Sequence, residues 1–201
     1  MFSGVRSVRG IGAVLAALGI FFMAAQPVGA AGAKFGSSLD TTMFPDNAYS
    51  GQNCQHELTG QDGTAKCTWI LVLPASGNQP SSPANGKITK IKLIAGKGGS
   101  FTLYLAQKSG SKFKLVRKGP KITYGTDQCS PDCHIQKFNI SPLTVHSGDY
   151  LAVQMAKGSI MQCNSGSNAT ALYKPPLAIG GSYASPTDYS GCRLLLQAVL
   201  S

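Results

Sequence analysis

Beyond its opening segment the chain is a succession of short apolar runs punctuated by Gly, Pro, Ser and Asn. Runs rich in β-branched and aromatic residues occur at Thr68–Leu73, Ile88–Ile94, Phe101–Ala106, Phe113–Val116, Ile122–Tyr124, Ile135–Ile140, Tyr150–Met155, Ala171–Tyr173 and Leu194–Val199. Turn-forming residues fill the gaps at Pro74–Gly86, Gly96–Ser100, Ser147-Gly148-Asp149 and Asn164–Ser167. Apolar spacing of three and four, the mark of an amphipathic helix, is not sustained outside the leader described below. Short strands at about 8–12-residue spacing predict an all-β fold, an antiparallel β-sandwich or barrel. The Pro- and Gly-rich run 74–86 reads as a loop within one domain, and no internal repeat is present.

The opening segment differs in kind. Arg6 and Arg9 precede a fifteen-residue apolar stretch, Ile11–Ala25, and Gln26, Pro27 and Gly29 then break any helix. Val28-Gly29-Ala30 and Ala31-Gly32-Ala33 both offer the small-x-small pattern that a signal peptidase accepts. This predicts a signal-peptide helix over residues 1–33 and a secreted, extracellular chain. A spanning helix needs about 20 apolar residues, so no transmembrane span is expected in the mature chain. The leader holds no Cys to acylate. What remains, 34–201 with an ordered core at about 50–200, is enough for one domain burying roughly 68–70% of its unfolded surface.

Composition narrows the class. An apolar fraction of 43% is too high for a disordered chain, Gly has no three-residue period, and 13% charged residues are too few for a coiled coil. All six cysteines (Cys54, Cys67, Cys129, Cys133, Cys163, Cys192) lie beyond the leader, where an oxidising compartment favours disulfides. Six cysteines allow 15 connectivities. Sequential pairing is the expectation, as Cys54–Cys67, Cys129–Cys133 and Cys163–Cys192. The rival is a metal site at Cys129, Cys133 and His134, but structural zinc needs a second ligand pair and none is evident.

Two landmarks carry a resemblance. Cys67-Thr68-Trp69 on an early strand is followed by Gly86-Lys87-Ile88-Thr89-Lys90-Ile91-Lys92 opening the next. Later comes Leu143-Thr144-Val145-His146-Ser147-Gly148-Asp149-Tyr150-Leu151-Ala152-Val153. Over roughly residues 50–200 the chain resembles secreted β-sandwich proteins of actinobacteria and related bacteria, whose domains are functionally uncharacterised. The resemblance implies a jelly-roll-like fold and an extracellular place, and it carries no catalytic residue with it.

Catalytic patterns are missing. A glycosidase needs two carboxylates at a controlled separation, whereas Glu57 is the one Glu, and Asp62, Asp132 and Asp149 sit in turn contexts. Asp in turns bonds the local backbone. The G-x-S-x-G elbow of α/β hydrolases, the dinucleotide fingerprint and the Walker loop are all absent, so no cofactor is implied. His56, His134 and His146 read as structural or solvated.

Charge is distributed unevenly. The chain carries a net +10, and between Gly63 and Thr126 there are eleven basic residues and no acidic one. Strand alternation sharpens this, because successive side chains point to opposite faces. With Ile91, Leu93, Phe101, Leu103, Leu105, Phe113 and Leu115 inward, Lys90, Lys92, Tyr104, Lys112 and Lys114 point outward. If the three runs form a meander, four lysines flank Tyr104 on one exposed sheet face. Like charges across a ladder cost stability, so such a face suits an anionic polysaccharide, a cell-wall polymer or another extracellular polyanion. The bland alternative is that the lysines confer solubility and guard an edge strand. Sequence-specific nucleic-acid recognition is not expected, with sparse aromatics and no recognition helix.

The expected function is therefore non-catalytic binding, with Lys90, Lys92, Tyr104, Lys112 and Lys114 as the contact surface. Its rivals are a neutral-carbohydrate lectin using Tyr173, Tyr183 and Tyr189, a structural subunit of a surface assembly, and a hydrolase of unrecognised type. Trp69 is expected in the core beside a disulfide. Asn139 and Asn168 head glycosylation sequons, which a bacterial protein leaves unmodified.

Overall fold

A computed structural model describes residues 31–39, 51–52, 54, 66–72, 79–95, 98–126, 133–155 and 161–201, with backbone alone for 51–52, 161–168 and 192. Its strands are β1 (Lys34–Gly36), β2 (Gly51–Gln52), β3 (Cys67–Leu71), β4 (Gly86–Ile94), β5 (Gly99–Ser109), β6 (Lys112–Tyr124), β7 (Ile135–Val145), β8 (Tyr150–Met155), β9 (Met161–Tyr173), β10 (Asp188–Leu194) and β11 (Leu196–Leu200). They form a four-stranded sheet in the order β1-β11-β4-β7 and a larger one in the order β10-β9-β3-β8-β5-β6, with β2 beside β9. All pairings between these strands are antiparallel, and no helix occurs among the described residues. The expected antiparallel β-sandwich is what forms. The chain changes sheet at β1→β2, β3→β4, β4→β5, β6→β7, β7→β8 and β10→β11. The result sets β1-β11-β4-β7 against β3-β8-β5-β6 in a jelly-roll arrangement.

Alternation builds the core. Ile88, Ile91 and Leu93 of β4 and Leu196, Ala198 and Leu200 of β11 face Trp69 of β3 and Phe101, Leu103 and Leu105 of β5. The larger sheet is buried on its outer face too. Segment 174–187, after β9, crosses that face and pairs Ala184 with Phe113 and Ile179 with Leu115. Leu177 and Ala184 pack there against a second apolar cluster that includes Ile70, Tyr104 and Phe113. With both faces covered, all five residues of β3 are buried, which is why Cys67–Leu71 reads as a continuous apolar run.

The ladders correct several boundaries. The runs expected at Phe113–Val116 and Ile122–Tyr124 are one strand, β6, which continues through Pro120. Pro is tolerated because β6 is a sheet edge, as is β7, which carries Pro142. The expected turn at Asn164–Ser167 lies inside β9. Ser190 pairs with Thr170 and Cys192 with Ser165, so residues 166–169 bulge opposite Gly191. The run Leu194–Val199 is broken at Leu195, where the chain passes from β10 in one sheet to β11 in the other. The N-terminal edge is tied in as well: Gly32 N donates to Leu200 O and Leu200 N donates to Ala33 O, both at 2.8 Å.

Candidate functional site

The expected meander does not form, and the lysine set is divided. β4 pairs with β11 and β7, whereas β5 pairs with β6 and β8 in the other sheet. A meander is the shortest connection between three consecutive strands, but the jelly roll sends β4 and β5 to opposite layers. Lys90 and Lys92 therefore lie on one outer surface of the sandwich and Lys112 and Lys114 belong to the opposite layer.

On the four-stranded sheet, Ile91 and Leu93 point into the core, so Lys90 and Lys92 point out, as alternation requires. Register defines their neighbours. One row across this face is Lys34, Val199, Lys90 and Asn139; the next contains Gln197, Lys92 and Lys137. Lys34 and Lys137 are exposed and Lys90 and Lys92 half-buried. Partial burial pulls the Lys92 ammonium below its ordinary value, and Lys34, Lys137 and Lys90 pull it further in that order. None of the four forms an ion pair among the described residues. Lys34 and Lys137 were not among the residues singled out from sequence. Alternation around Phe138 and Ile140 marks Lys137 as outward, but no local signal places it beside Lys92.

Tyr104 is not an exposed platform. It is 8% exposed and belongs to the cluster beneath segment 174–187. Phe113 and Leu115 lie in that same cluster instead of the sandwich interior. The expectation assumed one buried face per sheet, and the covering segment gives this sheet two. Lys112 is exposed at the β5–β6 hairpin, and Lys114 Nζ sits 4.7 Å from the Tyr183 ring centre. Of the three tyrosines of the lectin reading, Tyr189 lies on β10 and Tyr173 is a buried residue of β9 whose hydroxyl donates to Ala184 O at 3.2 Å. Tyr183 and Tyr189 are 37% and 38% exposed.

The remaining chemistry is structural where it is described. Cys54 and Cys67 form a disulfide within the core, beside Trp69. Cys133 is also disulfide-bonded, which removes its thiol from any metal set; Cys129, its expected partner, lies outside the described residues. Backbone register sets Cys163 opposite Leu194 and Cys192 opposite Ser165 on neighbouring strands. Asp149 Oδ2 accepts the His146 N–H at 2.8 Å and lies 3.9 Å from Arg117 Nη1. Asp188 Oδ1 accepts the Tyr189 N–H at 2.7 Å. Asp149 does the turn-bonding work expected of it, Asp188 caps the start of β10, and His56, Glu57, Asp62 and Asp132 lie outside the described residues. No family model, curated protein or solved structure matches the chain.

Proposed function

We propose that the chain is a secreted, non-catalytic binding protein that meets an anionic cell-surface or extracellular polymer through the outer face of its four-stranded sheet. One observation carries this reading: Lys34, Lys90, Lys92 and Lys137 come from three strands onto one face, where partial burial and then the neighbouring ammoniums depress Lys92. Mutual repulsion makes that arrangement unfavourable for the free protein, and an approaching polyanion relieves it. Lysine suits loose charge contact along a polymer, because it is a point charge without the bidentate fork of Arg. The site is thus a revision of the lysine set read from sequence: Lys90 and Lys92 stay, Lys34 and Lys137 join, and Lys112, Lys114 and Tyr104 leave.

The test is retention on an immobilised anionic polysaccharide across a salt gradient. A Lys90→Glu/Lys92→Glu/Lys137→Glu variant is expected to elute early, while Lys112→Glu/Lys114→Glu stays close to the parent. Early elution of the parent itself, or equal losses in both variants, sinks the reading. The exposed rings of Tyr183 and Tyr189 support a second reading, stacking on neutral sugar, whose binding would be insensitive to salt.

A further inference from the structure

The outer face of the larger sheet holds a feature that the polymer-binding reading does not use and on which it does not depend. Register lines up Thr68 of β3, Gln154 of β8, Thr102 of β5 and Lys121 of β6 in one row across four strands. Segment 174–187 covers one end of this row. There Gln154 Nε2 donates to Leu177 O at 2.7 Å and to Thr68 Oγ1 at 3.2 Å, and Leu177 N donates to Thr68 Oγ1 at 3.1 Å. The other end is open. It forms a cleft of about 200 Å³ lined by Lys66, Ser100, Thr102, Lys121 and Gln154, with Phe101 and Met155 beneath.

We propose that this cleft binds a single oxyanion group, a sulfate, phosphate or carboxylate, on a ligand of monosaccharide size. Two cations enter it from separate strand systems, Lys66 just ahead of β3 and Lys121 on β6. Neither forms an ion pair among the described residues. Between them lies Thr102, a hydroxyl able to donate to an anion. Gln154, pinned by its two hydrogen bonds, gives that floor a fixed wall. Donors that converge on a partly enclosed space favour a charged acceptor more than the same groups spread on a flat surface, because charge-assisted hydrogen bonds strengthen as water is excluded. The volume sets the size limit. Pockets that enclose drug-sized ligands hold roughly 300–1,000 Å³, so this one takes one charged group and its immediate carrier instead of a polymer strand.

The test is a titration of the full-length protein, followed by amide NMR and calorimetry, with glucuronate, glucose 6-phosphate, inorganic sulfate and glucose as probes. Glucuronate and glucose 6-phosphate are expected to shift the amides of Ser100, Thr102, Lys121 and Gln154, and glucose to leave them unmoved. If inorganic sulfate gives the same shifts, the free anion suffices; if it does not, the sugar-linked group is the ligand, and both outcomes support the site. Lys121→Gln and Lys66→Gln should each weaken glucuronate by about tenfold, the loss of one charge-assisted contact. Lys90→Gln/Lys92→Gln should leave it unchanged. The proposal is overturned if glucose shifts the same amides, if no probe does, if Lys121→Gln binds as the parent does, or if the shifts map to Lys34, Lys92 and Lys137. That last result would favour the polymer face while removing the cleft, so the two readings fail separately.

Discussion

Lys92 of β4 stands directly opposite Lys137 of β7 in the ladder of the smaller sheet, with Lys90 on the same strand and Lys34 also within reach of its charge. Facing like charges cost some tenths of a kcal/mol, and no described carboxylate is paired with either lysine to offset that cost. Replacing Lys137 by Gln should therefore raise the melting temperature by about 1–3 °C at low salt. In about 1 M salt, where charges are screened beyond roughly 3 Å, the gain should vanish.

The same relationship has a pH signature. Lys92 loses its proton more readily in the folded chain than at its ordinary value of 10.5. Approaching 10.5 from below, the unfolded chain binds more protons at this site, so stability rises with pH. The advantage of Lys92→Gln should shrink over that window and be gone above it. Thermal melts of parent and variant between pH 8 and 11 decide the matter; a constant difference across the range would refute it.

Asp149 and Arg117 divide the work at the β7–β8 turn unequally. Asp149 is 1% exposed, and its carboxylate accepts the His146 N–H. Gly148, at φ +85°, lets the turn close. Ser82 and Asn85 then bind the turn from outside, Ser82 N donating to Asp149 O and Ser147 N to Asn85 Oδ1. Asp149→Ala strands an amide and should cost about 1–3 kcal/mol. Arg117→Gln breaks a partly exposed contact to Asp149 at 3.9 Å and the exposed hydrogen bond from Arg117 Nη1 to Thr144 O at 2.8 Å, and should cost about 1 kcal/mol or less. Denaturant unfolding of the two variants checks the order, and equal losses would show that the Arg117 contacts matter as much as the turn bond.

Particular residues show what was legible beforehand. β8 coincides with the run Tyr150–Met155, because a Ser-Gly-Asp turn bounds it on one side and Tyr150–Val153 is an unbroken apolar stretch. β4 extends the run Ile88–Ile94 by only two residues. Outward placement of Lys90 and Lys92 followed from alternation alone. Their neighbours did not, since sheet partners depend on where the chain crosses between layers, and nothing in Gly96–Ser100 distinguishes a hairpin from a crossover. Tyr104 illustrates the other limit. Its burial comes from residues 174–187, whose Pro175, Pro176, Gly180 and Gly181 read as a loop and give no hint of what the loop covers. β1 is too short for any pattern, yet it brings Lys34 to the charged face.

The Cys54–Cys67 disulfide closes a short stretch, thirteen residues apart in sequence, and both sulfurs lie in the core cluster with Trp69. A loop of this length contributes about 3 kcal/mol by restricting the unfolded chain. The Cys54→Ser/Cys67→Ser variant should lose roughly 2–4 kcal/mol in denaturant unfolding followed by the fluorescence of Trp69, the single tryptophan. A loss below about 1 kcal/mol would mean that the covalent link adds little to the packing around it.

Tyr173 couples β9 to the segment that covers it. Burial, and then the nearby Tyr189 phenol, hold its hydroxyl well above the ordinary value of 10.0. The folded chain therefore keeps a proton there that the unfolded chain releases above pH 10, so this group's contribution is complete below pH 10 and declines above it. Tyr173→Phe should cost about 1 kcal/mol at neutral pH, through the lost bond to Ala184 O. It should also flatten the decline above pH 10. If parent and variant fall in parallel there, the titration belongs to another group.

The pairing of residues 32–33 with β11 distinguishes the two cleavage positions of the leader expected from the sequence. Cutting after Ala33 would remove the hydrogen bonds that Gly32 and Ala33 make with Leu200, and with them the side chain of Ala33 packed at the core's margin. It would also leave an α-ammonium on Lys34, whose side chain already adds to the positive field at Lys92. Cutting after Ala30 keeps both bonds and moves the terminal charge three residues away. Two such bonds contribute about 1–3 kcal/mol together. N-terminal sequencing of the protein exported from a bacterial host should read Ala31 as the first residue, and a chain begun at Lys34 should melt several degrees lower. Finding Lys34 first, or equal melting of the two forms, would show that the edge pairing of Gly32 and Ala33 contributes nothing to the mature fold.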